Sequence, residues 1–516
     1  MCCGGTATIR ATSSTWATAF CRRPIRPCSN AWSRSCTGTP PYRTHTAGRA
    51  DRMGPAGGRR VVVVGAGITG LSAAHRLIVD RPGLDVSVLE AAPSAGGKLV
   101  TTPFVGLPVD EGADSFLVRV PWAADLCAEL GLTAELVAPS ARSASLWLDD
   151  RLRPIPAGSV LGVPLDPATV QAGLLPEADL AGLAGPGRPA GPLPPGDGPA
   201  GDLSVGEVIR SCVGQAVLDR LVDPLLGGVN AGLAENLSCA TVAPQFLKAA
   251  RSADGFLATL RRAQAGSDPD APLFNAHPAG MGRLVDTLVD RLGDRIRTDR
   301  RVVSLSRDGN RWLVGLDDAT EVADAVIVTT PAFAAASLVE AVCPPAALIL
   351  SGVRHASVVL AALAYHRSDL EVPDDQSGFL VPRGSNMFMT ACSFAGSKWG
   401  HLDDPDHTIL RISAGRIDDD RAGNVDDGAL VAALRNDVAT TLGVEAEPAE
   451  VRVTRWPLSL AQFPVGHRRH MAEMTLMLAE DAPGLVVTGA ANNGVGIPSC
   501  VRSGTEAAAA VSDRLG

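Results

Sequence analysis

The sequence predicts an α/β fold, and three patterns in the chain support this prediction. Residues 59–90 read as strand, glycine-rich turn, helix and second strand, in that order. Residues 485–516, at the other end of the chain, repeat the order strand, glycine loop and helix. Helical and extended segments alternate between these stretches. We therefore predict one parallel-sheet domain assembled from distant segments, with an inserted mixed α+β domain and a helical subdomain.

The first stretch carries the strongest motif. The β-branched run Val61–Val64 is typical of a strand buried on both faces. Gly65, Gly67 and Gly70 follow in G-x-G-x-x-G spacing, which permits a tight turn, a close pyrophosphate and close helix packing. Glu90 closes the second strand about 20 residues later, where an acid accepts hydrogen bonds from a ribose. The stretch predicts a Rossmann-like dinucleotide site; the alternative is a glycine turn without a ligand.

The next segments predict loops around one helix. Gly96–Gly97 form a second tight turn, and Asp110 and the segment Gly112–Ser115 follow an extended stretch. We predict a loop beside the first phosphate site, with an ordinary hairpin as the alternative. Trp122–Leu132 has helical periodicity. Residues 185–201 predict an exposed, disordered loop, because proline lacks an amide donor and glycine costs conformational entropy.

A second helix is predicted at Ser204–Leu226. Ser204 and Glu207 have the spacing of a capping box, and Gly227 and Gly228 are predicted to end the segment. Further elements are predicted at Met281–Leu292 (helix), Val302–Leu305, Trp312–Leu316 and Ala325–Thr329 (strands), 353–365 and 409–413 (strands of another sheet) and Val431–Leu442 (helix).

The C-terminal stretch predicts a second anion site. Leu485–Thr488 reads as a buried strand, a Gly/Asn loop follows, and an Ala-rich helix begins near Pro498. Proline is favoured in the first helical turn, and the free amide groups there attract anions. Alone, this pattern is also typical of a capped helix. Together with the first motif it predicts one nucleotide-binding domain built from both ends of the chain.

Composition disfavours several other classes of protein. The 516 residues include 46 Lys and Arg against 55 Asp and Glu, and the net charge of −9 disfavours nucleic-acid binding. No apolar stretch reaches about 18 residues without a charge or a glycine, so we predict no transmembrane helix, while peripheral membrane contact stays open. The six cysteines after residue 58 show no disulfide framework, which favours the cytoplasm. The scattered histidines predict no metal site.

Residues 1–58 differ from the remainder. They contain five of the 11 cysteines, eight arginines, no lysine and a single acid, Asp51. Since no apolar periodicity is visible, we predict a disordered extension, with Met53 as a plausible true start. An organellar transit peptide and a cysteine-rich metal site are the alternatives, and the second lacks paired C-x-x-C spacing.

From about residue 59 onward, the chain resembles the FAD-dependent amine oxidase superfamily. Within it, the chain is most similar to the protoporphyrinogen/coproporphyrinogen oxidase family, in particular its bacterial coproporphyrinogen III oxidases. The resemblance rests on blocks in the family's order: GAGITGLSAAHRL, GGK with VDEGADSFL, LSVGEVIRSCVGQAVLDRLVDPLLGGVNAG, AGMGRLVDTL, DAVIVTTPA, KWGH, RWPLSLAQFPVGH and GVGIPSCVRSG.

The resemblance implies a non-covalently bound FAD and the residues that contact it. The pyrophosphate would lie on the first glycine turn, the ribose at the acid that closes the second strand, and the adenine side at a backbone in the middle hairpin. The remaining residues would flank the flavin ring. The implied set is Gly65, Ala66, Gly67, Ile68, Thr69, Gly70, Glu90, Ala91, Lys98, Gly112, Ala113, Asp114, Ser115, Val302, Trp456, Val495, Gly496 and Ile497.

The implied reaction is the six-electron oxidation of a porphyrinogen by molecular oxygen, with hydrogen peroxide as the second product. It demands no side-chain base, so the catalytic residues stay unassigned. Coproporphyrinogen III, with four propionates, is the preferred substrate and protoporphyrinogen IX the alternative. Propionates call for cations. The candidates are Arg354, Arg383 and Lys398, with His355 and His467 as further basic residues of the substrate region.

Two other functions stay open. A flavin amine oxidase would need an aromatic substrate cage. The chain has only two tyrosines, which disfavours such a cage. A non-catalytic FAD-binding protein is the other. The resemblance also allows hand-over of the product to the next haem-pathway enzyme. The predicted boundaries are 1–58 for the extension, 59–120, 276–340 and 456–516 for the FAD-binding domain, and 121–275 and 341–455 for the substrate and helical parts.

Overall fold

The computed structural model describes residues 58–187, 193, 196, 201–266, 268 and 271–516. The predictions for residues 1–57 and for most of the loop 185–201 lie outside this part. The strands are β1 Arg60–Val64, β2 Asp85–Leu89, β3 Thr101–Phe104, β4 Leu107–Asp110, β5 Phe116–Leu117, β6 Ser143–Leu148, β7 Arg151–Pro154, β8 Phe274–Asn275, β9 Ile296–Arg297, β10 Val302–Asp308, β11 Arg311–Leu316, β12 Thr320–Ala323, β13 Ala325–Val328, β14 His355–His366, β15 Gln376–Leu380, β16 Met389–Phe394, β17 His407–Ala414, β18 Glu450–Ala461 and β19 Leu485–Val487.

The helices are α1 Ile68–Asp80, α2 Trp122–Glu129, α3 Glu177–Leu183, α4 Val205–Val213, α5 Gln215–Val217, α6 Asp223–Asn230, α7 Cys239–Val242, α8 Pro244–Ala250, α9 Phe256–Ala265, α10 Gly282–Leu292, α11 Ala332–Val339, α12 Pro344–Ser351, α13 Ala395–Lys398, α14 Arg421–Asn424, α15 Asp427–Leu442, α16 His467–Asp481, α17 Ala490–Asn493 and α18 Ile497–Leu515. Among the described helices, none is both long and apolar enough to cross a membrane.

A five-stranded parallel sheet, in the order β19-β13-β1-β2-β9, contains the first motif. Its strands come from residues 60–89, 296–328 and 485–487, so distant segments do assemble one sheet. Val61–Val64 are at most 4% exposed, because β1 has β2 and β13 as direct neighbours and helices above and below. The β-branched run fits a strand that is covered on both faces.

Helices α1, α10 and α18 cover one face of this sheet, with Leu71 and Leu288 in the shared core. The three-stranded sheet β10-β11-β12 and helices α11, α12 and α16 cover the other face around the buried Trp312. Helices α1 and α18 cross closely, because a Cβ on Gly504 would lie 2.3 Å from the carbonyl oxygen of Thr69. Both helices follow parallel strands of one sheet, so their N-terminal ends lie at the same carboxyl edge.

The second large sheet has seven strands in the order β18-β14-β17-β16-β15-β6-β7. Only β15 and β6 pair in parallel; the other neighbours are antiparallel. Helix α15 packs on it through Leu434 and Val438. Helices α4 to α9 form a separate apolar cluster in which the rings of Phe246 and Phe256 lie 5.5 Å apart. The described chain therefore contains a mixed sheet and a helical cluster beside the parallel sheet, and the predicted domain boundaries stay a prediction.

The predicted helix Ser204–Leu226 is correct at its start and wrong in its continuity. The hydroxyl of Ser204 accepts the Glu207 amide at 3.0 Å, and the Glu207 carboxylate accepts the Ser204 amide at 2.9 Å, so the capping box is confirmed. The chain then breaks at Gly214, where φ is +99°. A short helix, a π-helical turn and α6 follow.

Gly227 and Gly228 do not end this segment, contrary to the prediction. Both lie inside α6, which continues to Asn230. A Cβ on Gly228 would lie 3.1 Å from the Leu380 side chain, so the small residue lets α6 approach the end of β15 in the seven-stranded sheet. Glycine serves close packing here rather than helix termination.

Elsewhere the observed elements lie within a few residues of the predictions. The stretch after Glu90 contains both predicted alternatives, since Gly96–Gly97 form a turn and Thr101–Asp110 form an antiparallel hairpin. The predicted Gly/Asn loop before Pro498 contains the short helix α17.

Candidate active site

The turn between β1 and α1 gives each motif glycine a different task. Gly65 has a φ of +100°, which residues with a side chain rarely adopt. A Cβ on Gly70 would lie 1.9 Å from the Gly65 carbonyl oxygen, so only glycine fits there. A Cβ on Gly67 would meet nothing within 4 Å. The space over Gly67 is therefore open, and this is where the sequence predicts a pyrophosphate.

Helix α1 begins at this opening without a side-chain cap. Gly67 is the N-cap residue, and the amide groups of Ile68 and Thr69 follow in the first turn. Unpaired amides and the positive end of the helix dipole favour an anion at such a position.

The Gly96–Gly97 turn lies against the first one. The Gly96 amide donates to the Ala66 carbonyl at 2.8 Å, and a Cβ on Gly97 would lie 3.2 Å from the Cα of Gly67. Two glycine turns therefore approach each other backbone to backbone. Side chains at these positions would separate them.

Two threonines follow β13 at the same edge of the sheet. The Thr329 hydroxyl donates to the carbonyl oxygens of Val64 at 2.9 Å and Gly65 at 3.1 Å, which fixes the first turn. The Thr330 hydroxyl oxygen is buried and has no hydrogen-bond partner among the described residues. Buried polar atoms are nearly always paired in native proteins, so a ligand that supplies the partner would fit here.

Glu90 is held at the carboxyl end of β2 by backbone donors. Its carboxylate accepts hydrogen bonds from the Ala66 amide at 2.7 Å and the Ala92 amide at 2.8 Å. Ala91, which follows Glu90 in sequence, is exposed. The carboxylate is thus fixed beside the first glycine turn. This placement agrees with the predicted ribose contact.

The chain around Val302 reaches the same place. The Arg300 amide donates to the Glu90 carbonyl at 2.8 Å, and the Asp299 amide donates to the Ala92 carbonyl at 3.0 Å. Val302, two residues later, begins β10. The structure therefore brings Val302 close to Glu90, although the two residues are far apart in sequence.

The second helix start, at Val495–Ile497, is also free of a side-chain cap. The preceding loop is anchored by His467, which donates its Nε2 proton to the Ala491 carbonyl at 2.7 Å. His467 is 2% exposed, and burial lowers its pKa. His467 supports the loop in this position, and its predicted contact with the substrate stays a prediction.

Lys98 lies close to both this helix and β14. Burial lowers its pKa although its side chain is exposed, and it interacts electrostatically with Cys500 of α18. The side chain is therefore accessible although protein atoms surround much of it. Burial also lowers the pKa of His355, and the charge of Lys98 adds to this. The His355 ring packs edge-on against Phe333 at 5.3 Å.

Asp114 is the centre of a charged cluster. Its Oδ2 accepts hydrogen bonds from Lys398 Nζ at 2.8 Å, Arg411 at 2.6 Å and Trp399 Nε1 at 3.2 Å. The Ser115 hydroxyl donates to the other oxygen at 3.0 Å. Burial alone would raise the pKa of Asp114, but the two cations hold it well below its usual range.

Gly112 and Trp456 complete the arrangement. A Cβ on Gly112 would lie 2.1 Å from the Lys98 carbonyl oxygen and 4.0 Å from the Trp456 ring. Trp456 Nε1 donates to the Glu111 carbonyl at 2.7 Å, and Ala113 is exposed. The residues predicted to flank a flavin ring are therefore brought together, and their contact with the ring stays a prediction.

The three cations predicted to bind propionates have different environments. Arg354 is exposed and directly precedes β14. Arg383 donates to the carboxylates of Asp223 at 3.0 Å and Asp418 at 2.5 Å, and also to a backbone carbonyl. Lys398 is bound to Asp114. Two of the three are thus already paired within the protein.

Sequence reasoning missed Arg411. This residue lies on β17 and donates to Asp114 and to the carbonyl oxygens of Asp110 at 3.0 Å and Gly112 at 2.8 Å. The contact with Asp114 spans 297 positions of the chain, which no local pattern predicts. The available signal was an arginine inside the apolar run of a strand.

Asp110 has unusual electrostatics. Burial raises its pKa to about 6, while the Thr101 hydroxyl and the Met281 amide, which donates at 2.8 Å, partly oppose this shift. The folded pKa lies above that of the unfolded chain. The stabilising contribution of Asp110 is therefore fully present below about pH 4 and is lost as the pH rises through about 6.

We expect Asp110→Asn to remove this pH dependence. A shift of about 2 pKa units corresponds to about 3 kcal/mol. The unfolding free energy of the unmodified protein should fall by about 3 kcal/mol from pH 4 to pH 7 because of Asp110, and that of the variant should lack this fall. Urea unfolding at several pH values measures this, and Asp125→Asn on the exposed side of α2 is the control. Parallel pH profiles for Asp110→Asn and the unmodified protein would contradict the assignment.

Comparison with known proteins connects this geometry to a family. Residues 68–512 match the family of flavin-containing amine oxidoreductases.

The chain belongs to this family.

Curated relatives are similar over nearly their whole length. A coproporphyrinogen III oxidase from Bacillus subtilis (strain 168) is 31% identical over 473 residues, which cover 89% of this chain and 98% of the relative. A coproporphyrinogen III oxidase from Mycobacterium leprae is 34% identical over 449 residues, covering 86% and 96%. A crystal structure from Exiguobacterium sp. 255-15, provisionally named a protoporphyrinogen oxidase, has a TM-score of 0.79 at 29% identity and covers 89% of this chain and 99% of that one.

The site fits the flavin cofactor of this flavin oxidoreductase family. The open space over Gly67, the uncapped helix starts and the unpaired hydroxyl of Thr330 suit a phosphorylated, polar ligand. When bound, a flavin supplies a two-electron acceptor that the side chains themselves lack.

Proposed function

We propose that this protein is an oxidase that binds FAD non-covalently and converts coproporphyrinogen III to coproporphyrin III. The observation that carries the proposal is the near full-length similarity to curated coproporphyrinogen III oxidases, at 31% and 34% identity. The site supports it, since Gly65 has the positive φ, Gly67 the open space and Gly70 the close backbone contact that a dinucleotide turn requires. Molecular oxygen is the final electron acceptor.

The electron balance is three successive two-electron oxidations. Each step removes one hydride and one proton from the macrocycle and reduces one molecule of oxygen to hydrogen peroxide. Residues of this chain bind and orient the substrate and exclude water. The positive charge of Lys98 and the helix start at Gly496 favour negative charge in the cavity.

FAD binding without a covalent bond has its own test. We expect acid precipitation to release the whole yellow chromophore, because no cysteine or histidine of the sequence lies in a recognisable flavin-attachment motif. Absorbance of the supernatant and pellet at the flavin band measures this. Flavin that stays in the precipitate after washing would contradict the proposal.

Protoporphyrinogen IX is the second candidate substrate. It has two propionates instead of four, and one observation favours it. Arg383 and Lys398 are paired with carboxylates, which leaves Arg354 as the predicted cation without a side-chain partner in the described part of the chain. The provisional name of the Exiguobacterium structure points the same way.

The decisive experiment compares both substrates. Porphyrin fluorescence is followed with coproporphyrinogen III and with protoporphyrinogen IX, and peroxide is measured in parallel. We expect the higher kcat/KM with coproporphyrinogen III and three peroxides for each porphyrin. A higher kcat/KM with protoporphyrinogen IX would establish the second candidate, and the absence of turnover with either would refute a porphyrinogen oxidase.

Arg354→Ala tests the predicted propionate contact. A charge-assisted hydrogen bond contributes about 1.5–3 kcal/mol, so we expect KM for coproporphyrinogen III to rise about tenfold or more, with kcat nearly unchanged. Arg367→Ala is a matched control, because Arg367 is exposed and follows the far end of the same strand, β14. Equal KM values for both variants would remove Arg354 from the substrate site.

A further inference from the structure

Side chains from outside the segment hold the turn from Asp110 to Asp114, in addition to one backbone hydrogen bond from the Glu111 amide to the Val100 carbonyl at 2.8 Å. Arg411 donates to the carbonyl oxygens of Asp110 and Gly112, and Trp456 donates to the carbonyl of Glu111 between them. Three successive carbonyl groups thus bond to side chains of the seven-stranded sheet. The shape of the turn depends on that sheet.

The inner side of this turn faces the cofactor region. Gly112 lies so close to the Lys98 carbonyl that a Cβ would be 2.1 Å from it, and the Trp456 ring is the next neighbour. A displaced turn would carry Gly112 towards Lys98 or away from it. The position of this segment therefore sets the spacing between Gly112, the Lys98 backbone and the Trp456 ring.

Arg411 has the central position among the outside contacts. Its guanidinium reaches Asp114 at 2.6 Å, the Asp110 carbonyl at 3.0 Å and the Gly112 carbonyl at 2.8 Å, and its side chain is only 12% exposed. A planar guanidinium presents several donors in a fixed arrangement and can satisfy all three acceptors at once. We propose that Arg411 is a positioning residue that fixes the 110–114 turn in the form that binds the flavin.

Neutralising Asp114 does not explain this arrangement. Lys398 already supplies a positive charge at 2.8 Å, and Trp399 adds a further donor to the same oxygen. The two carbonyl contacts are specific to Arg411. A lysine in its place would keep the charge and lose the bridge to the carbonyl groups.

A neighbouring arginine provides the control. Arg452 on β18 donates to the Thr102 hydroxyl at 2.6 Å and to the Val109 carbonyl at 3.0 Å. It therefore holds the β3–β4 hairpin that precedes the turn by a similar number of hydrogen bonds. Its charge also acts on Glu111 and Asp110, but its hydrogen bonds go to the hairpin and not to the carbonyl groups of the turn. Loss of Arg452 should reduce stability and leave the carbonyl contacts of the turn with Arg411 and Trp456 in place.

The test uses the full chain with Arg411→Ala, Arg411→Lys and Arg452→Ala. The flavin-free protein is titrated with FAD, and thermal unfolding and the visible circular dichroism of bound flavin are recorded. We expect both Arg411 variants to weaken FAD binding tenfold or more and to change the flavin dichroism, whereas Arg452→Ala binds FAD within twofold of the unmodified protein. Thermal stability should fall in Arg411→Ala and Arg452→Ala and be largely restored in Arg411→Lys.

Amide hydrogen exchange of the flavin-free protein gives a second, independent measurement. In peptides covering residues 110–116, the amide exchange rate should rise in both Arg411 variants and should stay unchanged in Arg452→Ala. Normal FAD affinity and dichroism in Arg411→Lys would overturn the proposal, since charge alone would then suffice. Equal losses of FAD affinity in Arg411→Ala and Arg452→Ala would also overturn it. If Arg411→Ala does not fold, the FAD affinity of Arg411→Lys decides the question.

The inference rests on flavin binding and not on the identity of the substrate. If the unmodified protein binds FAD but oxidises neither porphyrinogen, the proposed function fails and these measurements still test Arg411.

Discussion

Gly67→Val is expected to abolish FAD binding and to leave the protein folded. The backbone at Gly67 has φ −71° and ψ 173°, which valine adopts readily. A Cβ at this position meets no protein atom within 4 Å, so the added side chain enters the open space over the turn. That space is the predicted position of the pyrophosphate, and a branched side chain would occupy it. FAD titration and flavin content after purification measure the loss.

The matched control is Gly83→Val. Gly83 lies in the turn between α1 and β2, and a Cβ there also meets nothing within 4 Å. Both variants should unfold within a few degrees of the unmodified flavin-free protein, and only Gly67→Val should lose FAD. Normal flavin content in Gly67→Val would show that the glycine turn is not the phosphate site. Gly70→Ala is no substitute for this test, because its Cβ would clash with the Gly65 carbonyl and disturb the fold itself.

The sequence predicted the parts of the fold whose cause is local. The run Val61–Val64 and the spacing of Gly65, Gly67 and Gly70 determine strand, turn and helix within a few neighbouring residues. The capping box at Ser204 and Glu207 is also local, and it was predicted correctly. Patterns of this kind act through backbone conformation and nearest neighbours, so they can be read without the tertiary structure.

The features that the sequence does not reveal depend on distant neighbours. Gly228 lies within α6, where Leu380 of the seven-stranded sheet packs against it. His467 is buried beneath the C-terminal loop, whose carbonyl at Ala491 it binds. The predicted substrate cation Arg383 is paired with Asp223, 160 positions away. Residue type alone does not separate a cation that binds a ligand from one that binds the protein's own carboxylates.

The same limit applies to the electrostatics of the site. Asp110 and Asp114 lie four positions apart, yet burial raises the pKa of the first to about 6, and two cations depress the pKa of the second. The difference comes from the hydrogen bonds that Asp114 accepts from Lys398 on α13 and Arg411 on β17, which lie 284 and 297 positions later in the chain. Only the folded chain shows which carboxylate has the partners.

Asp114→Asn is expected to cost about 3–5 kcal/mol of unfolding free energy at pH 7, because it leaves two largely buried cations beside a neutral amide. Lys398 and Arg411 both donate to the oxygen that would lose its charge, and their side chains are 23% and 12% exposed. Asp403→Asn is the control: its partner Arg367 and Asp403 itself are about half exposed, and such surface pairs contribute about 0–1 kcal/mol.

The pH dependence distinguishes this electrostatic cause from a packing defect. The folded pKa of Asp114 lies below that of the unfolded chain, so its stabilisation is present above about pH 4 and is lost as the pH falls towards the folded pKa. The gap between Asp114→Asn and the unmodified protein should therefore be widest near neutral pH and narrow below about pH 4, as urea unfolding at each pH can measure. A gap that is constant from pH 7 to pH 3 would point to packing. A gap as small as that of Asp403→Asn would mean that water, rather than Asp114, compensates the two cations.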